Sequence, residues 1–191
     1  MKLYNNRPSP YGRKVLIAAH EKSLMKRITL FAIDPWSDPS ALLAVTPIGK
    51  VPALVTDDGA VITDSTIISE YFDAVGDGRA LIGDDRFEVM ARVALMQGLI
   101  DAAFATVIER RRPTERRWDD WVSRQHRAIA RTLEIVAPVD DRFDLGDIAL
   151  ACALAYLDFR LPEIAWRCAH RTLAAWLDEV GRRPSMQATA P

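Results

Sequence analysis

The chain has 191 residues, 49% of them hydrophobic and 27% charged, which suits one large domain or two small ones with real cores and excludes a disordered polymer. Its 25 Lys and Arg nearly balance 26 Asp and Glu, so the net charge of −1 offers no global attraction to nucleic acid or to an anionic membrane. Two cysteines, Cys152 and Cys168, exclude a disulfide framework and read as small core residues.

No charged-then-apolar leader opens the chain, and no apolar run reaches the roughly 20 residues of a membrane span, so a cytoplasmic protein is expected. From Met1 to about Val75 strand and helix signals alternate. Lys2 to Asn5 reads as a short strand, "RKVLIAAHEK" carries Val15, Ala18 and Ala19 at helical spacing, and "RITLF" is strand-like again. In "SDPSALLA" Asp38 is expected to cap a short helix with Pro39 at its first position. "VPALV" and "AVIT" flank "TDDG", where Asp58-Gly59 signals an antiparallel hairpin. "DSTIISEYFDAV" is helical and stops at Gly76. The order is βαβαββα.

Beyond a linker over residues 77–85 the strand signals vanish. Val89, Val93, Met96, Ile100, Phe104 and Val107 step by three and four along a long helix that ends before Pro113. Trp118, Val122, Ile129, Leu133 and Val136 mark a second, ending before Pro138. "IALACALAYL" is apolar all round, the pattern of a helix enclosed by others, and Leu173, Trp176, Leu177 and Val180 mark one more. Asp144 and Asp147 have the spacing of a capping box, with Phe143 and Ile148 as its staple. In "ERRRPTERRWDDW" four acids interrupt five arginines, which favours a solvated face over a nucleic-acid site. His20, His126 and His170 lack metal-ligand spacing, so no metal is expected.

Several stretches, in order, resemble the glutathione transferase superfamily: "SPYGRKV" after the first strand, "TPIGKVPAL" (Thr46 to Leu54, with Thr46 where the family usually has Asn), "DSTIISEY" opening the third helix, "FDLGDIALA", and "RRPSMQATAP" at the end. The resemblance implies a thioredoxin-like domain over 1–76 and an all-helical domain over 86–191. It also implies glutathione as co-substrate, a small electrophile as second substrate, a detoxification role and a two-fold homodimer. For the dimer, Tyr71, Phe72, Leu95 and Leu99 look like more apolar surface than one core face each requires.

The resemblance assigns the site residue by residue. Asp64 would pair with the α-amino group of the γ-glutamyl end, and Ser65 with its carboxylate. Val51, before a Pro52 expected to be cis, would pair with the cysteinyl backbone, and Lys50 would meet the glycyl carboxylate. Ser9 need not be a nucleophile, because the attacking sulfur belongs to the ligand. A free thiol has a pKa of about 8.5, and a hydroxyl donor beside a helix N-terminus favours its anion. The "SPYG" slot lacks both cysteines of the redox relatives' C-P-Y-C, which argues against dithiol chemistry. Tyr4 lies near where tyrosine-dependent members put their hydroxyl, and Arg110, Arg111 or Arg112 could border an electrophile pocket. The alternatives are a non-catalytic glutathione-binding or scaffold protein of the same fold and, more remotely, an isomerase, whose Ser-Ser-Cys run is absent.

Overall fold

A computed structural model describes residues 1–138 and 143–191. The first strand, β1 (Lys2–Asn5), runs into α1 (Pro10–Glu21), then β2 (Thr29–Ala32), α2 (Ser40–Leu43), β3 (Ala53–Val55), β4 (Val61–Thr63) and α3 (Ser65–Val75). The sheet order is β2-β1-β3-β4, with β1 parallel to β2 and the other pairs antiparallel. This is the thioredoxin-like βαβαββα arrangement.

Side-chain alternation along β1 sorts the core into two layers. Leu3 and Leu54 face Val15, Ala19, Ile68 and Phe72 from α1 and α3. Tyr4 and Ala53 face the opposite way, over Leu42 of α2. The hairpin between β3 and β4 closes through Thr56 N–H on the Ala60 carbonyl, with Gly59 at φ +87° supplying the left-handed residue of a three-residue loop.

The α2 region departs from expectation. Asp38 does not cap it; its own φ of +46° ends a preceding 3-10 turn (Pro35–Ser37) that Asp34 caps through Trp36 N–H. Pro39 is extended, at ψ 130°, and stands just outside the helix. An Asp-Pro pair can begin a helix only if the Asp is itself extended, and here it is left-handed.

Contacts divide the chain into two units, Met1–Arg86 with Pro184–Pro191, and Phe87–Arg183. The last short helix, α9 (Pro184–Ala188), packs on α1: Arg13 Nη2 donates to the Met186 carbonyl at 3.2 Å and Ser185 Oγ to Glu21 Oε1 at 2.5 Å. Within the same unit the residues after α3 are pinned by Asp73, whose carboxylate accepts Leu81 N–H and Ile82 N–H and sits 3.1 Å from the buried Lys22 ammonium.

The second unit is helical: α4 (Arg86–Arg110), α5 (Asp119–Ile135), α6 (Leu145–Arg160), α7 (Trp166–Ala169) and α8 (Arg171–Val180). α4 is long and apolar enough to cross a bilayer by length and composition, but Val89, Val93, Met96 and Ile100 form its buried stripe. α6 is buried almost all round and begins at the Asp144–Asp147 capping box. Arg92 reaches both carboxylates, donating to Asp144 Oδ2 at 2.8 Å and to Asp147 Oδ1. Cys152 is buried as expected, but Cys168 is exposed, because on the short α7 Trp166 takes the inward position. Phe72 and Leu99, read as surplus apolar surface, are core residues of their own units; the exposed large apolar side chains of α3 and α4 are Ile67, Phe87 and Leu95.

Candidate functional site

Strand register gathers the expected site residues of the first unit at one end of the sheet. Tyr4 pairs with Ala53, and Ala53 with Thr63. The chain leaving β1 toward Ser9, the chain entering β3 through Val51 and Pro52, and the chain leaving β4 into Asp64 and Ser65 therefore meet at the same edge.

Ser9 is the half-buried N-cap of α1, with φ −77° and ψ 122°, and its Oγ accepts the Gly12 N–H at 3.2 Å. Pro10 occupies the first helical position, where no N–H is needed. The capping bond uses the hydroxyl as acceptor and leaves its proton to donate. No acidic residue sits in the first turn, so the positive end of the helix is not neutralised there. Tyr4 is buried and its ring stacks on Phe31 at 5.0 Å, within the sheet face under α2.

The Val51–Pro52 peptide is cis. Pro52 is buried, while Val51 contributes neither donor nor acceptor to the backbone hydrogen bonds found among the described residues. Lys50 is exposed, one residue after Gly49 (φ +58°), whose N–H closes a turn on the carbonyl of the buried Thr46.

Asp64 is the exposed N-cap of α3 and holds an unusual backbone, φ +72° and ψ 128°. A non-glycine residue in that region is strained, and such strain clusters at functional sites. Its Oδ1 accepts Thr66 N–H at 2.7 Å. Ser65 follows, 2% exposed, and its Oγ is buried without a hydrogen-bond partner. A buried hydroxyl left unmade costs free energy, so the orphan points to a group that completes it.

Two residues of this end of the sheet, Lys14 and Asn5, escaped the sequence reading. Lys14, fully buried, donates from Nζ to Thr66 Oγ1 at 3.0 Å. Its signal was a lysine interrupting an apolar helical face beside Val15, Ile17 and Ala18. Asn5, at the end of β1, is 3% exposed and lies against Gly12.

In the helical unit the arginine-rich segment is tied up locally. Arg110 pairs with Glu163 at 2.5 Å and Arg112 with Glu109 at 3.2 Å, while Arg117 donates to the carbonyls of Arg110 and Arg112. Burial pushes Glu163 up, but its hydrogen bond to Arg110, a backbone hydrogen bond and the charges of Arg110 and His126 together outweigh that, and the carboxyl lies below its usual range. Burial pushes the Tyr156 phenol up, partly offset by Arg160 and Arg111. No cluster of three metal-ligating side chains occurs among the described residues.

A thioredoxin-like sheet presenting a capping serine, a cis-proline and an acidic-serine helix start, in a chain that continues into a helical unit, is a two-part fold that comparison with known proteins identifies. Residues 8–75 match the family model described as Glutathione S-transferase, N-terminal domain, and residues 91–179 match Glutathione S-transferase, C-terminal domain. The chain is 33% identical over its whole length to the uncharacterized GST-like protein YibF of Escherichia coli (strain K12), covering 98% of it. It is 39% identical to a glutathione transferase family member from Pseudomonas fluorescens Pf-5 solved with bound glutathione, at a TM-score of 0.94 over 100% of this chain and 98% of that one. A second structure of such a family member, with bound S-(propanoic acid)-glutathione, is 38% identical at a TM-score of 0.89, over 100% and 99%. The chain belongs to the glutathione S-transferase family.

Proposed function

We propose that the protein is a glutathione transferase: it binds glutathione at the end of the sheet, favours its thiolate through Ser9, and directs the sulfur at a small electrophile. The observation that carries the binding reading is the partnerless, buried Ser65 Oγ at the start of α3, beside the strained Asp64. A γ-glutamyl carboxylate would complete Ser65 and the free N–H groups of that helix start, with Asp64 facing the α-amino group. Val51 would offer its backbone to the cysteinyl unit, and Lys50 its ammonium to the glycyl carboxylate.

Ser9 then acts by donation. Its capping bond with Gly12 N–H fixes the oxygen, and the O–H points its proton at the ligand sulfur. Each pKa unit by which the thiol falls corresponds to about 1.4 kcal/mol of preference for the anion. The thiolate attacks, so the protein needs no cysteine of its own. The adduct held by the Pseudomonas relative is one that a short unsaturated acid gives when the thiol adds across its double bond, which makes such acids, with apolar and carbonyl electrophiles, the first compounds to assay.

The proposal extends to a cytoplasmic detoxifying enzyme that works as a homodimer. Exposed Ile67 and Leu95 support a second copy as the cover for these helices, and light scattering should read about twice the 21.4 kDa of one chain. The function is tested by calorimetry with glutathione, then by conjugation assays of the parent and Ser9→Ala. Binding without conjugation of any electrophile favours the scaffold reading; no heat and no thermal shift at millimolar glutathione removes the site. A Ser9→Ala variant that conjugates at the parent's rate with the bound thiol's pKa unmoved removes Ser9 from catalysis.

A further inference from the structure

A lysine with no exposed surface is uncommon, because a buried ammonium loses its hydration unless the surroundings answer its charge. Lys14 is such a residue, and its position is specific. Its Nζ donates to Thr66 Oγ1 at 3.0 Å, and Thr66 is the second residue of α3, with its backbone N–H already held by Asp64 Oδ1 at 2.7 Å. The Lys14 amine therefore lies at the first turn of a helix whose unpaired N–H groups already make that end positive, so a carboxylate placed there would favour its ammonium form. Little water screens it, in contrast to the exposed Lys50.

Two further observations bear on a ligand here and do not depend on Lys14. Ser65 Oγ is buried without a partner one residue before Thr66, and Asp64 holds a left-handed backbone one residue before that. The first turn of α3 thus has beside it a buried lysine amine, an unmet hydroxyl and, at its cap, an exposed carboxylate. That is the charge pattern of a zwitterionic head group, an amine and a carboxylate on one carbon.

We infer that Lys14 is a positioning residue that makes this site selective for the α-carboxylate of the ligand's γ-glutamyl end. It acts through Thr66, setting the positive charge behind the helix start while Asp64 meets the neighbouring amine. The inference rests on the glutathione reading above. A purely architectural tie between α1 and α3 would not need a charge, since a methionine fills the same stem volume and replacing a buried charge by a hydrophobe is often tolerated.

The test uses the full chain and two peptides, glutathione and 4-aminobutanoyl-cysteinyl-glycine, which lacks only the α-carboxylate. Calorimetry is run on the parent, Lys14→Met and Lys14→Arg, with circular dichroism as the check on folding. The parent is expected to bind glutathione more tightly than the analogue. Lys14→Met should weaken glutathione by about tenfold or more, the scale of a desolvated charge interaction, and leave the analogue's dissociation constant where it was. Lys14→Arg should keep most of the discrimination. Equal losses on both peptides, or no loss on either, overturn the inference and assign Lys14 to packing. A parent that binds both peptides alike overturns it while leaving the glutathione reading in place, whereas a parent that binds neither overturns both. If Lys14→Met does not fold, Thr66→Val decides: it removes the Oγ1 link without touching the buried stem, and it must weaken glutathione selectively.

Discussion

Gly12 and the Asn5 carboxamide are in backbone-to-side-chain contact so close that a Cβ on Gly12 would fall 1.7 Å from Asn5 Oδ1 and 2.6 Å from its Cγ. Asn5 is 3% exposed and cannot swing into solvent. The same glycine gives its N–H to Ser9 Oγ, so any shift of Gly12 would disturb that capping bond. Gly12→Ala gains about 1 kcal/mol of helix propensity but must displace the carboxamide or the start of α1, and overpacking of this kind costs roughly 1–3 kcal/mol. Net destabilisation in urea unfolding is expected, with recovery in the Gly12→Ala, Asn5→Ala double variant. A single variant as stable as the parent contradicts the contact.

Asp64→Asn isolates charge from capping. An asparagine oxygen still accepts the Thr66 N–H that Asp64 takes at 2.7 Å, and asparagine tolerates positive φ better than most residues, so the fold should be unaffected. Glutathione affinity should fall by about 1.5–3 kcal/mol, the range for a hydrogen bond to a charged group. Because the amine is remote from the sulfur, KM for glutathione should rise with kcat nearly unchanged. An unaltered dissociation constant takes Asp64 out of the site.

Much of this was legible in the sequence where a local rule had only one solution. The Asp58-Gly59 turn, the all-round apolar α6 and the Asp144–Asp147 box each follow from short-range geometry, and each is present. The cis-proline and the acidic-serine helix start came through resemblance, and only the register of β1, β3 and β4 shows why they meet Ser9. What was hidden depends on tertiary neighbours. Asp38-Pro39 has the residue types of a cap and first helical position, but the left-handed turn ending at Asp38 is not encoded in that pair alone. The burial of Lys14 is likewise hidden, since nothing in α1 announces that α3 covers it.

Arg92 holds the start of α6. Its guanidinium answers two carboxylates, Asp144 at 2.8 Å and the fully buried Asp147, while the capping box uses the remaining oxygens for backbone N–H groups. Arg92→Met keeps the stem's packing but strands both acids, and leaving a buried charge uncompensated costs about 3–5 kcal/mol. Arg92→Lys should recover only part, because one ammonium cannot reproduce the fork to two acceptors. Guanidinium unfolding measures both. A loss below about 1 kcal/mol for Arg92→Met, the size of an exposed ion pair, would falsify the bridging role.

The last prediction concerns acid sensitivity of the helical unit. Burial holds the His126 imidazole below its ordinary value, the nearby Arg110 adds to the effect, and Glu163 opposes it. Its Nε2 is buried without a hydrogen-bond partner, so a proton placed there would gain no hydrogen bond. The unfolded chain lets His126 titrate at its ordinary value of 6.5, so below that pH it binds a proton that the folded chain refuses. Unfolding then takes up protons, and stability falls as pH drops through the window from 6.5 down to the lowered folded value. His20 is shifted the same way by burial, against Glu21, and adds to the slope. Glu163, held low by Arg110, contributes its loss only at more acidic pH, below the ordinary carboxylate value of 4.5, so the two effects separate. Thermal midpoints measured between about pH 7.5 and 5.5 should fall for the parent and fall less for His126→Gln, which cannot take the proton. If the two proteins lose stability in parallel across that range, His126 is not the acid-sensitive group.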